Sequence, residues 1–467
     1  MAEENTTNGI SKTSEWFDAE SVKEKPSRLS GAVFILLCLV PVVSTIAYGA
    51  VDNWALGFLA IFAGVTAIVW FADAFFKKEF CFSTNLLQIP LFALILIGVI
   101  QLLPFGNPNI PGDLLAVSAT KSLSLDAYST RFGVILLIIY FVFFSAALVF
   151  INSHKRLQRI VSVIIIFASV MAFFGILQSL ANLDSIYGLR PSPQAKPFAS
   201  FVNQHHFAAF MEMTIGLTVA LLFGKAVKKD KNLLLIIAAV IMGIAIILTG
   251  SRGGFLSLLG VIGFIIAANL LKKEGGERTS NYRRNFAFIG GGIALILMLF
   301  GAVFLLGGDE SLLRGVGLQN TDADLSSGRT HFWSVALKIF LDHPILGVGL
   351  NAFGTAFPQY DTWNGNLRVE QAHNDYLQIL ADAGILGFIC IAAFIFLLFK
   401  KSLKNISKTN DNFRRHIAIG ALAGCFGILI HSFFDFPLRT PSNAFFFLIL
   451  TVLATASISS PKISRQK

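Results

Sequence analysis

Residues 232–271 read NLLLIIAAVIMGIAIILTGSRGGFLSLLGVIGFIIAANLL. Two apolar runs, 232–249 and 254–271, are parted only by Thr249-Gly250-Ser251-Arg252-Gly253. An α-helix needs roughly 20 residues to cross about 30 Å of hydrocarbon, and each run comes close to that length. The stretch therefore reads as two membrane helices joined by a short polar turn. That turn is a boundary of chemistry rather than of domains.

The same pattern recurs outward, from residue 31 to residue 458. The chain has 467 residues, 55% hydrophobic and 14% charged. A soluble chain is nearer 45–50% apolar and about 25% charged, so a soluble enzyme, a disordered protein and a coiled-coil rod are excluded. About twelve helices are expected, near 30–51, 54–75, 86–103, 132–152, 160–181, 206–224, 232–249, 254–271, 286–306, 383–399, 416–434 and 442–458. The fold class is an all-α polytopic membrane protein. Cys38, Cys81, Cys390 and Cys425 are scattered without disulfide or zinc spacing and read as small packing residues.

Lys and Arg set the orientation. With the N-terminus in the cytoplasm, the inner loops are short and basic (Lys77-Lys78, Lys155-Arg156, Lys228-Lys229, Lys400-Lys401, Arg414-Arg415), as the positive-inside rule asks. The net charge of +10 is then mostly topology, with some attraction to anionic inner-leaflet lipid, and calls for no nucleic acid. Residues 1–28 form a polar cytoplasmic tail read as disordered, 29–306 hold nine spans, 307–382 one large outer loop, 383–458 three more spans and 459–467 a cytoplasmic tail. Outer loops 104–131 and 182–205 are also longer than connection requires. In the largest, Ser326-Ser327-Gly328 precedes an amphipathic stretch, Arg329 to Asp342, whose Phe332, Trp333, Ala336, Ile339 and Phe340 recur at helical spacing. His343-Pro344 stops it and Gly347 and Gly349 turn the chain.

Chemistry gathers on the outer side. Gly250-Ser251-Arg252-Gly253-Gly254 opens the eighth span, where free N–H groups and the helix dipole favour an anion and glycines permit close backbone approach. Arg252 either snorkels to headgroups or offers a planar fork to phosphate. Arg329 begins a helix, an unfavourable place for a cation, which points to an anionic partner or to plain solvation. Gln371-Ala372-His373-Asn374-Asp375 leads into the tenth span. His373 is either an interfacial imidazole or a base for a hydroxyl, with Asn374 and Asp375 able to orient its ring. Asn203 reads as the N-cap of the sixth span, followed by His205 and His206. His205, His206 and His373 lack the spacing of a metal site. His431 and Asp435 read as a structural pair.

Thr249-Gly-Ser-Arg-Gly-Gly-Phe-Leu256, Ser327-Gly-Arg-Thr-His-Phe-Trp333, His343-Pro-Ile-Leu-Gly-Val-Gly349 and Ala372-His-Asn-Asp-Tyr-Leu-Gln378, in this order, resemble the O-antigen ligase and O-antigen polymerase superfamily. The resemblance covers residues 199–388; the first five spans match only in being apolar. It implies a C-type membrane glycosyltransferase fold and a metal-independent transferase without cofactor, acting on the periplasmic face of a bacterial inner membrane. The donor it implies is a glycan on undecaprenyl diphosphate; the acceptor is a lipid A-core sugar, another repeat unit or, in some relatives, protein. By this resemblance Arg252 and Arg329 hold the diphosphate, with Arg190 a weaker third contact, and His373 is the base. Asn203, His206, Asn374 and Asp375 support the site. Asn203 to Ala208 resembles a motif of a subset of relatives, which usually carry Asn where this chain has His205; relatives often carry Glu where it has Asp382.

Two other classes compete. A flippase for lipid-linked saccharide would place charges at the midplane of repeated halves, whereas here they crowd one rim and no repeat shows. A non-catalytic scaffold would tolerate loss of His373.

Overall fold

The structure is a computed structural model that describes residues 27–105, 121–192, 195–270, 328–363 and 368–456. The described helices are α1 (Arg28–Ile46), α2 (Asn53–Lys77), α3 (Gln88–Gln101), α4 (Ala127–Phe150), α5 (His154–Leu180), α6 (Gln204–Phe223), α7 (Asn232–Leu248), α8 (Arg252–Leu270), α9 (Arg329–Asp342), α10 (Phe353–Tyr360), α11 (Asp375–Lys408), α12 (Asn412–His431) and α13 (Pro441–Thr455). A hairpin of two-residue strands, Ser185–Ile186 and Arg190–Pro191, is antiparallel. Eleven of the twelve expected spans coincide with a helix; the ninth, 286–306, and the two tails lie wholly or mostly outside the described residues. Nine described helices are long and apolar enough to cross a membrane. The chain is a mostly helical, multi-pass membrane protein.

Helix α6 lies at the centre, packed by α12, α7 and α8. Hydrocarbon offers no hydrophobic drive between helices, so close approach through small residues does the work. A Cβ on Gly216 would lie 2.8 Å from the Gly420 carbonyl oxygen, and one on Gly420 would lie 2.6 Å from the Gly216 oxygen. The Gly420-Ala-Leu-Ala-Gly424 spacing thus seats α12 directly on α6. Helix α13 is buried along its whole length. At 15 residues it rises only about 22 Å, and protein rather than lipid surrounds it.

Of the 307–382 stretch the structure describes 328–363 and 368–382, and these fold as the sequence period demands. Gly328, at φ +80°, precedes α9, and His343 ends it. Phe332, Val335, Ala336 and Ile339 pack against Val348, Phe353, Phe357 and Ala372; Trp333 and Phe340 are half-buried. Helix α11 starts at Asp375, earlier than the expected span at 383, and breaks at Gly384 (φ +62°, ψ −163°). A side chain there would collide with the Ile345 carbonyl. The break separates the first turns of the helix from the long apolar run.

Candidate functional site

The turn from Ser432 to Thr440, between α12 and α13, gathers the separated motifs. The α8 start lies beside it, because a Cβ on Gly253 would come within 2.9 Å of the His431 ring and 3.3 Å of Phe434 Cβ. Asp435 of this turn receives the α9 start through Arg329, whose Nη2 is 3.7 Å from Oδ2. It receives the His373 stretch through Nδ1 of the imidazole, 3.0 Å from Oδ1. The start of α6 docks through His206, whose Nδ1 is 2.7 Å from Thr440 Oγ1.

Backbone geometry fixes His373. The residue sits at φ +52°, and its carbonyl accepts from Trp333 Nε1 at 3.4 Å. Asn374 then caps α11, accepting from Tyr376 N at 3.0 Å and Leu377 N at 3.1 Å. Its amide donates to Phe433 O at 3.2 Å. Asp375 accepts from Ser432 Oγ at 2.9 Å and Leu438 N at 3.4 Å. These two residues bind the His373 segment to the 432–440 turn, but the group that orients the ring is Asp435. The imidazole packs against Phe332 and Phe436 and keeps 30% of its side-chain surface exposed.

Asp435 is 1% exposed. Burial alone would raise its carboxyl; the hydrogen bond to His373 and the imidazoles of His205, His206 and His373 outweigh that and hold it well below the usual carboxylate range. An ionised Asp435 can only accept, so Nδ1–H of His373 donates to it, and in the neutral ring Nε2 is then the lone-pair nitrogen. It also accepts from Phe436 N at 2.9 Å. Arg329 thus has a buried anionic neighbour, as a cation at a helix start requires.

The expected pairing of His431 with Asp435 is corrected. His431 Nδ1 lies 2.9 Å from Glu212 Oε1 on α6, and both side chains are buried. His431 and Asp435 share only a backbone hydrogen bond, Asp435 N to His431 O at 3.1 Å. A Cβ on Gly254 would meet Ala208 at 2.9 Å and Glu212 Oε1 at 3.1 Å. The glycines beside Arg252 therefore make room for α6 and α12 side chains. Ser251 Oγ accepts from Gly254 N at 3.1 Å and satisfies one donor of the α8 start.

Arg190 is engaged elsewhere: its Nη2 is 2.7 Å from Asp52 Oδ1 and its guanidinium lies over Tyr48 at 5.0 Å. Asn203 caps α6 as its sequence position implies, accepting from His205 N at 2.8 Å. His206 packs edge-on against Phe436, as does His373. Among the described residues no three His, Cys, Asp or Glu side chains group as metal ligands.

Behind the site the His343-to-Gly349 motif has a structural task. Val348 N donates to Ala381 O at 2.9 Å, Gly349 N to Asp382 O at 3.0 Å and Ile385 N to Pro344 O at 2.8 Å. Gln101 of α3 donates to Leu346 O at 2.6 Å and Asp382 O at 2.8 Å. The buried Asp382 carboxylate accepts from Phe353 N at 3.1 Å and pairs with Arg439, whose Nη1 reaches Asn351 Oδ1 at 2.7 Å. This clamp holds the α11 break against the far end of the same turn that carries Asp435.

Residues 237–392 match the family model of O-antigen ligase. The motif resemblance is therefore shown over this segment. No curated protein matches the chain. The matched segment runs from within α7 to within α11 and contains Arg252, Arg329 and His373. Glu212, His431, Asp435 and Arg439 fall outside it, so the conjunction of His373 with Asp435 joins the matched segment to the C-terminal helices.

Sequence reasoning passed over Asp435 as a partner of His373. The available signal was a lone carboxylate in Ser432-Phe-Phe-Asp-Phe-Pro-Leu-Arg439, set among aromatic residues between two apolar helices. A charge there must be paired to be buried.

Proposed function

We propose that the protein transfers a glycan from an undecaprenyl-diphosphate-linked donor to a sugar hydroxyl at the outer face of the bacterial inner membrane, with both termini in the cytoplasm. The observation that carries this reading is Asp435, which touches both His373 and Arg329. A base and a diphosphate-binding cation brought to one carboxylate are what glycan transfer needs.

In this reading His373 Nε2 takes the proton of the acceptor hydroxyl while Asp435 holds Nδ1–H. The hydroxyl oxygen bonds to the anomeric carbon as the carbon–oxygen bond to the diphosphate breaks. The leaving diphosphate keeps the electron pair, and Arg329 and Arg252 stabilise its growing charge more than that of the intact donor. With no enzyme nucleophile assigned, the displacement inverts the anomeric centre. Arg190 then pins the 185–191 hairpin to the start of α2 rather than binding phosphate. Arg329 sits at the long distance of 3.7 Å from its carboxylate, a loose pair that a diphosphate can draw apart.

The test is purified protein incubated with undecaprenyl-diphosphate glycan and candidate acceptors, with product masses read out. His373→Ala and Arg252→Ala are expected to insert normally and to lose transfer, by roughly 10²–10⁴ and 10²–10³ respectively. Normal products from both variants would exclude this mechanism. Movement of labelled lipid across liposomes without change in its glycan would favour a flippase.

A further inference from the structure

Trp363 lies beyond the cluster just described and faces outward, 46% exposed. One face of the indole is covered by the His331 imidazole, with centroids 4.1 Å apart and planes within 8°. His331 Nε2 is 2.7 Å from Asp361 Oδ1, and the same oxygen accepts from Trp363 N at 3.0 Å. Gly328 closes in on the ring edge, where a Cβ would lie 3.0 Å away. Among the described residues the ring is thus held by His331 on one face, by Gly328 at its edge and by Phe332 at an angle, and what is exposed lies on the side away from His331.

Phe332 links the ring to the base. Trp363 is 5.9 Å from Phe332, and Phe332 is 5.9 Å from His373, centroid to centroid. Two aromatic steps therefore lead from the open indole to the imidazole. The exposed part of this large apolar ring is unfavourable in water in the free protein. Its rigidity removes the ordering cost of binding.

We infer that the open face of Trp363 stacks on a sugar ring of the acceptor glycan, one removed from the sugar whose hydroxyl reaches His373. A pyranose has an apolar C–H face and a hydroxyl rim. An indole face with the Asp361 carboxylate beside it matches both, as an amphipathic aromatic ring suits a surface that is apolar in the middle and wet at the edge. The inference rests on the transfer reading for the choice of acceptor; the platform itself rests on Trp363, His331 and Asp361. It makes Trp363 a determinant of acceptor length.

The experiment uses the full chain in nanodiscs and oligosaccharides of graded length released by mild acid from the native cell's surface polysaccharide. Trp363→Ala is expected to raise KM about tenfold for acceptors of three or more sugars, as truncating a central Trp does. Its kcat, and its KM for a monosaccharide acceptor, should be unchanged. Trp363→Phe should recover most of the loss, and His331→Gln should reproduce part of it. Equal KM at every length, or an equal loss with the monosaccharide, overturns the inference. Saturation-transfer NMR of the free oligosaccharides separates the two readings. Trp363-dependent binding without any transfer by wild type removes the reaction and keeps the platform. Absence of oligosaccharide binding, with affinity for lipid vesicles that Trp363→Ala abolishes, makes Trp363 a membrane anchor and removes the platform.

Discussion

Asp435→Asn isolates the contribution of one charge. Asn has the shape of Asp, but Oδ1 accepts from both His373 Nδ1 and Phe436 N, so an amide that turns its NH2 toward the imidazole also gives up the contact to Phe436 N. Two unit charges about 4 Å apart interact by ~4 kcal/mol at an effective dielectric near 20. Arg329 keeps 25% of its side-chain surface in solvent, and that screening brings the net contribution down toward 1 kcal/mol. Stability should therefore fall by only about 1–2 kcal/mol, counting the weakened hydrogen bond to His373. Catalysis should fall far more. An amide can present its NH2 to Nδ1, and the ring then carries its proton on Nε2, where it cannot accept one from a hydroxyl. A base held in the wrong tautomer loses most of a contribution worth roughly 10²–10⁴. The assay is the initial rate of glycan transfer at saturating donor, beside thermal unfolding of the same preparation. A variant that unfolds within a few degrees of wild type and turns over at a hundredth of its rate or less fits the reasoning. Turnover within threefold of wild type would refute it, since His373 would then need no orienting carboxylate.

Two further outcomes follow from the clamp and the α4 start. Arg439→Ala leaves the Asp382 carboxylate buried with only neutral donors, which should cost about 3–5 kcal/mol; Asp382→Asn combined with Arg439→Ala should unfold at a higher temperature than Arg439→Ala alone, and the reverse order would show that the pair is not what holds the α11 break. Asp126 caps α4, accepting from Ser129 N at 2.9 Å, Ser129 Oγ at 2.7 Å and Thr355 Oγ1 at 3.1 Å. Burial works to raise this carboxyl, but the Ser129 and Thr355 hydrogen bonds prevail and lower it. A depressed folded-state value adds stability that is fully present above the unfolded value near 3.9 and is lost as pH falls through the folded value. Unfolding temperature should hence drop more steeply below about pH 4 for wild type than for Asp126→Ala, which should already have lost about 1 kcal/mol at neutral pH.

The spans were legible because hydrocarbon imposes one requirement, a long apolar run, and composition answers it directly. Helix α9 was legible for a second reason: its period of 3.6 and its Gly and His-Pro boundaries are local signals. Where the protein replaces lipid as solvent, length alone misleads. Helix α13 is too short to span by the usual measure and is buried throughout by its neighbours. Helix α11 begins well before its apolar run, since Asn374 caps a helix whose first turns lie outside it. The Gly384 break is visible only once the Ile345 carbonyl is seen to occupy the place of a side chain.

The site divides along the same line. Arg252, Arg329 and His373 announced themselves as polar residues at points where the chain meets the membrane. The common partner of Arg329 and His373 did not, because Asp435 lies far along the chain, and pairing across such separations leaves no local period to read. Its nearest sequence candidate, His431, is one helical turn away on the same strand of chain and turns instead toward Glu212 on α6. Yet Arg329 did carry a clue. A guanidinium at the first residue of a helix opposes the dipole and demands an anion nearby. The resident answer is Asp435, and the same carboxylate holds His373. On the proposed reading, a diphosphate arriving at Arg329 competes with Asp435 and leaves that carboxylate more fully to the imidazole. On that reading donor binding and orientation of the base are coupled through one buried oxygen pair, which is why a substitution there should disturb catalysis much more than folding.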